Sequence, residues 1–81
     1  MTDNQFKEKI YGPYLEAWKI IKLLQYCTAH EGNWDVFIKE HRRFYKAYPD
    51  NKFADDLFNF LMTAAEDIRD MNEEEKNEMP K

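Results

Sequence analysis

Apolar side chains recur at helical spacing through most of this chain. The clearest stripe is Trp34, Phe37, Ile38, His41, Phe44, Tyr45 and Tyr48, the i, i+3, i+4, i+7 seam of an amphipathic helix. It predicts a helix over about 34–47 whose inner side is almost wholly aromatic and carries one histidine. A second stripe, Ala54, Leu57, Leu61, Ala64, Ala65 and Ile68, flanked by Phe53, Phe58 and Phe60, predicts a helix over about 52–71. Its alanines thin the stripe toward the C-terminal half, which lets a neighbouring helix approach closely.

Between Tyr14 and His30 the polar residues Glu16, Lys19, Lys22, Tyr26 and His30 fall in one narrow arc, and Leu15, Trp18, Ile20, Ile21, Leu23, Leu24 and Cys27 occupy most of the rest. A helix apolar over more than half its circumference needs cover from two sides, so residues 13–30 read as the central element. Ahead of it, Phe6 and Ile10 mark a short helix over about 4–11. It is opened by Thr2-x-x-Gln5, a capping box that satisfies two free N–H groups.

The punctuation fits this division. Pro13 lacks an N–H and its ring clashes with the carbonyl of Lys9, which predicts a break at Gly12-Pro13. Pro13 then suits the first turn of the second helix. Gly32 in Glu31-Gly32-Asn33 supplies a left-handed conformation after that helix, and Asn33 stands ready to cap the next. Pro49 in Tyr48-Pro49-Asp50-Asn51 stops the third helix, leaving Asp50 or Asn51 to cap the fourth. From Asn72 to Lys81 the apolar period is lost in a charged tail that is expected to fray. The fold expected is all-α: a small antiparallel three-helix bundle with a short N-terminal helical arm and a frayed acidic C-terminal tail. Residues 1–71 form the single domain and 72–81 the tail. Its core would hold Trp18, Ile21, Leu24, Phe37, Ile38, Phe44, Leu57, Leu61 and Ile68.

Size limits what such a bundle can do. At 81 residues a chain buries roughly 60–65% of its unfolded surface, so each large ring matters to stability. A single cysteine, Cys27, excludes an internal disulfide and fits a reducing compartment. Met1-Thr2-Asp3-Asn4 has neither a basic nor an apolar leader region, and apolar runs such as Ile20-Ile21 are broken at once by charge. A cytoplasmic protein without a membrane span is expected. A small acidic chain of this kind fits a bacterial or phage setting.

Charge is polarised along the sequence: residues 1–49 carry +2 and residues 50–81 carry −6. The positive excess includes Lys39, Arg42, Arg43 and Lys46 on the third helix, a candidate nucleic-acid face with Gly32 in the turn before it. Two features weigh against that use. Recognition helices read bases from their N-terminal residues, whereas these cations follow Asp35 in the C-terminal half. The chain is also acidic as a whole, with pI ≈ 5.1, whereas phosphate-binding domains are usually basic. The acidic residues Asp55, Asp56, Glu66, Asp67, Asp70, Glu73, Glu74, Glu75 and Glu78 read first as a solvated helix face, and second as a surface for a basic partner. They lack the loop spacing and glycine of a calcium-binding EF-hand.

Chemistry is sparse. Cys27-x-x-His30 with His41 supplies three soft ligands where structural zinc wants four, so no metal or other cofactor is expected. His41 on an apolar seam could serve as a pH switch or general base. A histidine there more commonly packs its ring and gives one nitrogen to a carbonyl, and no activated nucleophile accompanies it. The chain is therefore read as a non-enzymatic interaction or regulatory domain, with an unidentified protein partner and a homodimer as an open alternative. Its partner-binding residues would be Trp34, Tyr45, Tyr48 and Phe58, with Asp67 and Asp70. Nucleic acid binding through the third helix is the second reading.

Overall fold

The first helix begins where Thr2-x-x-Gln5 puts it. Thr2 Oγ1 accepts from the Gln5 backbone N–H at 3.1 Å, and Gln5 Oε1 accepts from the Thr2 N–H at 2.9 Å, closing the capping box. The computed structural model describes residues 1–28 and 32–78, with side chains as far as 75. Helix α1 (Asp3–Phe6), a π-helical turn (Lys7–Tyr11) and helix α2 (Gly12–Lys22) run on as one rod. Helices α3 (Trp34–Ala47) and α4 (Lys52–Glu78) follow. Rod, α3 and α4 make a small all-α three-helix bundle, with no strand among the described residues. The rod and α4 run parallel, because Lys9 lies beside Asn51 and Leu24 beside Asn72. Helix α3 runs the other way: Trp34 at its start meets Arg69 late in α4, and Tyr48 at its end lies beside Gly12.

The expected break at Gly12-Pro13 does not occur; arm and second helix are continuous. The reason is the π turn, in which the Gly12 N–H reaches back to the Lys7 carbonyl. This wider turn relieves the conflict between the proline ring and the preceding carbonyls. The Lys9 carbonyl, which would face the N–H that Pro13 lacks, accepts instead from Asn51 Nδ2 at 2.9 Å. The same Asn51 caps α4, its Oδ1 accepting from the Ala54 N–H at 3.0 Å, after Asp50 turns the chain at φ 57°.

Regular helix in the rod ends at Lys22 rather than at His30, which lies outside the described residues with Ala29 and Glu31. Beyond Lys22 the chain tightens into i→i+3 bonds, Leu23 to Ile20 at 3.1 Å, Leu24 to Ile21 at 2.9 Å and Cys27 to Leu24 at 3.0 Å. Such a frayed end exposes carbonyls, and Asn72 on α4 takes two of them: its Nδ2 donates to Leu24 O at 3.1 Å and Cys27 O at 2.7 Å. Cys27 Sγ is also engaged, donating to Leu23 O at 3.3 Å and accepting from the Asn33 N–H at 3.1 Å. Gly32 does hold the left-handed conformation, at φ +100°, where a Cβ would lie 2.8 Å from Cys27 Cα and Sγ. Asn33 stands at the N-cap of α3 but makes no side-chain cap bond, since its main chain is held by the thiol instead.

Helix α4 also outruns its apolar stripe. It continues past Met71 to Glu78 through the residues expected to fray. Asn72 fastens the segment to the rod, and the glutamates beyond it are good helix formers with no glycine or proline before Pro80.

The core is Ala17, Ile20, Leu24, Cys27, Phe37, Phe44, Ala54, Leu61 and Ala65. Ile21, Ile38, Leu57 and Ile68 pack around it half-buried. Trp18 is a correction: it is 53% exposed. Helices α3 and α4 cover only one side of the rod, and the small Ala17 takes the central position that lets them approach.

Candidate functional site

The aromatic seam of α3 is spent largely within the chain. Trp34 packs on Phe37 with ring centroids 5.4 Å apart, and the Arg69 guanidinium carbon lies 5.8 Å from the Trp34 ring centroid, within cation–π range. Phe58 lies parallel to the His41 ring at 3.9 Å and meets Tyr45 at 4.9 Å. Tyr48 packs against Phe44 at 5.3 Å. Trp34, Tyr48 and Phe58 are consequently half-buried, while Tyr45 stays exposed. Burial, followed by the nearby Glu16 charge, raises the Tyr48 pKa above its ordinary value, because both disfavour the phenolate.

His41 is buried at 6% exposure. Its Nε2 lies 2.9 Å from the Phe58 carbonyl, a contact that requires the proton on Nε2. Its ring is stacked between Phe37 and Phe58. The histidine thus joins α3 to α4 across the seam, and its position explains why an aromatic stripe tolerates one polar ring.

The basic face of α3 lines a shallow depression of ≈ 440 Å³ bounded by Asp35, Ile38, Lys39, Arg42, Arg43 and Lys46. One of its four cations is already paired. Arg43 Nε lies 2.6 Å from Glu40 Oε2, and Arg43 Nη2 3.5 Å from Glu16 Oε2; the Glu40 bond and charge, with Glu16 behind, raise the guanidinium pKa. Lys39, Arg42 and Lys46 stand exposed. On α4, Asp67 and Asp70 are exposed, with Arg69 Nε 3.6 Å from Asp70 Oδ1.

The surface that sequence reasoning missed lies on the rod. Tyr11, Tyr14 and Trp18 are each more than half exposed. Trp18 lines a groove of ≈ 400 Å³ between α2 and α4 with Ile21, Lys22, Gln25 and Ile68, and Tyr14 lies one turn before Trp18 on the same helix face. On α4, Phe60 is 55% exposed and shares a helix face with Ala64 and the groove residue Ile68 at four-residue steps. A signal for this was present. Pro13, Ala17, Ile20 and Leu24 already make a complete buried stripe, which leaves Tyr14 and Trp18, one turn apart, on a different face.

Among the described residues no group of three His, Cys, Asp or Glu side chains is placed to hold a metal ion, and no helix is long and apolar enough to cross a membrane. Comparison with protein-family models, with curated proteins and with solved structures gives no match for this chain.

Proposed function

We propose that this chain is a cytoplasmic, non-enzymatic interaction or regulatory domain that binds protein partners through exposed aromatic and acidic helix surfaces. The observation that carries it is the aromatic border of the α2–α4 groove: Tyr14, Trp18 and Phe60 stay more than half exposed on a domain too small to spare apolar surface. Aromatic side chains of this kind anchor protein interfaces, since they remove much area from water at little entropic cost. The acidic residues Asp67 and Asp70 lie on the same helix as Phe60 and supply a polar rim.

Nucleic acid binding through Lys39, Arg42 and Lys46 is the competing use. It is weakened by the engagement of Arg43 with Glu16 and Glu40, since these carboxylates compete with phosphate for the guanidinium. Immobilised protein and its Trp18→Ala/Phe60→Ala variant, exposed to lysate of the native cell with and without nuclease, separate the two. Specific proteins retained by the wild type, lost with the variant and indifferent to nuclease bear the proposal out. Capture that nuclease abolishes, or that Lys39→Glu/Arg42→Glu removes while the aromatic variant does not, overturns it.

A further inference from the structure

The groove between α2 and α4 has a charge pattern that fits a second copy of the same chain. On the α2 side the outward residues Tyr14, Trp18 and Lys22 include no acid, and the acid of this helix, Glu16, is turned toward Lys19 and Arg43. On the α4 side Phe60 is followed, two helical turns on, by the exposed Asp67. Among the described residues neither Lys22 nor Asp67 forms an ion pair.

The heights of these groups match. The rod and α4 run parallel, pinned at Lys9–Asn51 and at Leu24–Asn72, and Ile68 meets Trp18 and Ile21 in the groove. Interpolating between these two pins puts Lys22 within about a turn of the height of Asp67, and Phe60 between the heights of Tyr14 and Trp18. A two-fold axis parallel to the helices would therefore lay α2 of one protomer on α4 of the other with these levels preserved. Trp18 and Tyr14 would meet the partner's Phe60, and Lys22 the partner's Asp67, each contact occurring twice by symmetry. The other face-to-face arrangement, with the axis across the helices, would set α4 against α4. Asp67 and its acidic neighbours would then face their own copies, which like-charge repulsion opposes.

We infer that the chain forms a parallel, isologous dimer in which the α2–α4 groove is closed by the same groove of a second copy. The inference rests on the reading of this groove as a protein-binding surface and names its occupant. The half-exposed Tyr14, Trp18 and Phe60 offer roughly 250–400 Å² per protomer at ~150–250 Å² for a whole ring, before their neighbours are counted. That falls below the ~800 Å² per partner of a standard interface, so the dimer is a weak one.

Sedimentation velocity of the full chain from about 1 to 500 µM, with circular dichroism to confirm folding, tests it. Wild type is expected to pass from monomer to dimer across this range. Trp18→Ala should weaken association ~100-fold, as expected for a central aromatic anchor used twice. Lys22→Glu and Asp67→Lys should each weaken it by about 5- to 30-fold, and the two together should restore it. A folded wild type that stays monomeric throughout, a dimer indifferent to Trp18→Ala, or a double charge swap no better than the singles overturns the inference. A strict monomer that still captures a nuclease-resistant partner through Trp18 and Phe60 would refute the dimer and leave the protein-binding reading standing.

Discussion

Asn72 ties the end of the rod to α4, and its removal should cost this small bundle heavily. Its amide donates to the Leu24 and Cys27 carbonyls, 3.1 and 2.7 Å away, at the point where the rod leaves regular helix. The Leu24 carbonyl also receives the Cys27 N–H, so in Asn72→Ala the Cys27 carbonyl is the one left without a donor among the described residues, in a partly buried setting. Two lost bonds at ~0.5–1.5 kcal/mol each, with ~1 kcal/mol for the stranded carbonyl, give about 2–4 kcal/mol. At ~0.05–0.15 kcal/mol per residue the whole domain is stable by about 4–12 kcal/mol, so this is a large fraction. The melting temperature should fall by roughly 10–30 °C, at ~4–8 °C per kcal/mol for a domain of this size. Thermal melts followed by circular dichroism measure it directly. Asn72→Asp sharpens the test: at neutral pH a carboxylate has no donor and faces two carbonyl oxygens, so it should be at least as damaging as alanine. Part of the loss should return in acid, where the carboxyl gains a proton to donate. An Asn72→Ala variant melting within about 2 °C of wild type, or an Asp variant more stable than the Ala variant at neutral pH, would refute the reasoning.

Gly32→Ala places a Cβ 2.8 Å from Cys27 Cα and Sγ on a backbone at φ +100°. It should cost at least ~2 kcal/mol, read as a lowered urea midpoint, and an unchanged midpoint would show that the turn rearranges freely. His41→Leu removes the Nε2 contact with the Phe58 carbonyl and the stacking on Phe58 but keeps an apolar side chain in the seam. A loss of about 1 kcal/mol with full helicity is expected, and a loss of fold would mean that the histidine does more than join α3 to α4. The raised Tyr48 pKa makes its neutral form the one that stabilises the fold. That contribution is complete below the unfolded pKa near 10 and disappears as pH rises through the folded value. Tyr48→Phe should therefore be less sensitive than wild type to pH above about 10, and parallel denaturation curves from neutral to alkaline pH would contradict this.

Much of the fold was legible in spacing alone. The α3 seam, the α4 stripe, the Thr2–Gln5 capping box, the left-handed Gly32 and the stop at Pro49 all rest on local rules, and local rules govern isolated turns of helix. What was not legible depended on contacts far apart in sequence. Pro13 reads locally as a break, and only the π turn with Asn51 reaching the Lys9 carbonyl lets the rod run on. The residues after Met71 have no apolar period, and Asn72 holds them by a bond to carbonyls 45 and 48 residues earlier. Trp18 was misplaced because its arc looked like core. Whether an apolar face is covered depends on how many neighbours the bundle supplies, and this one supplies two, both on the side of Ala17. That miscount also shifted the candidate surface. Trp34, Tyr48 and Phe58 are largely satisfied by Phe37, Phe44, His41 and Arg69, and the exposed aromatic border lies on the rod and at Phe60.

The two tryptophans provide the most direct test of that relocation. Trp18 stands at the α2–α4 groove, while Trp34 is covered by Phe37 and Arg69. Two-dimensional ¹H–¹⁵N spectra of the labelled protein, recorded as its concentration rises, report each indole N–H separately. The Trp18 indole and the amides around Tyr14, Lys22, Phe60 and Asp67 should move together while the Trp34 indole stays in place. Movement of Trp34 with Trp18 unmoved, or shifts confined to Lys39, Arg42 and Lys46, would contradict the account.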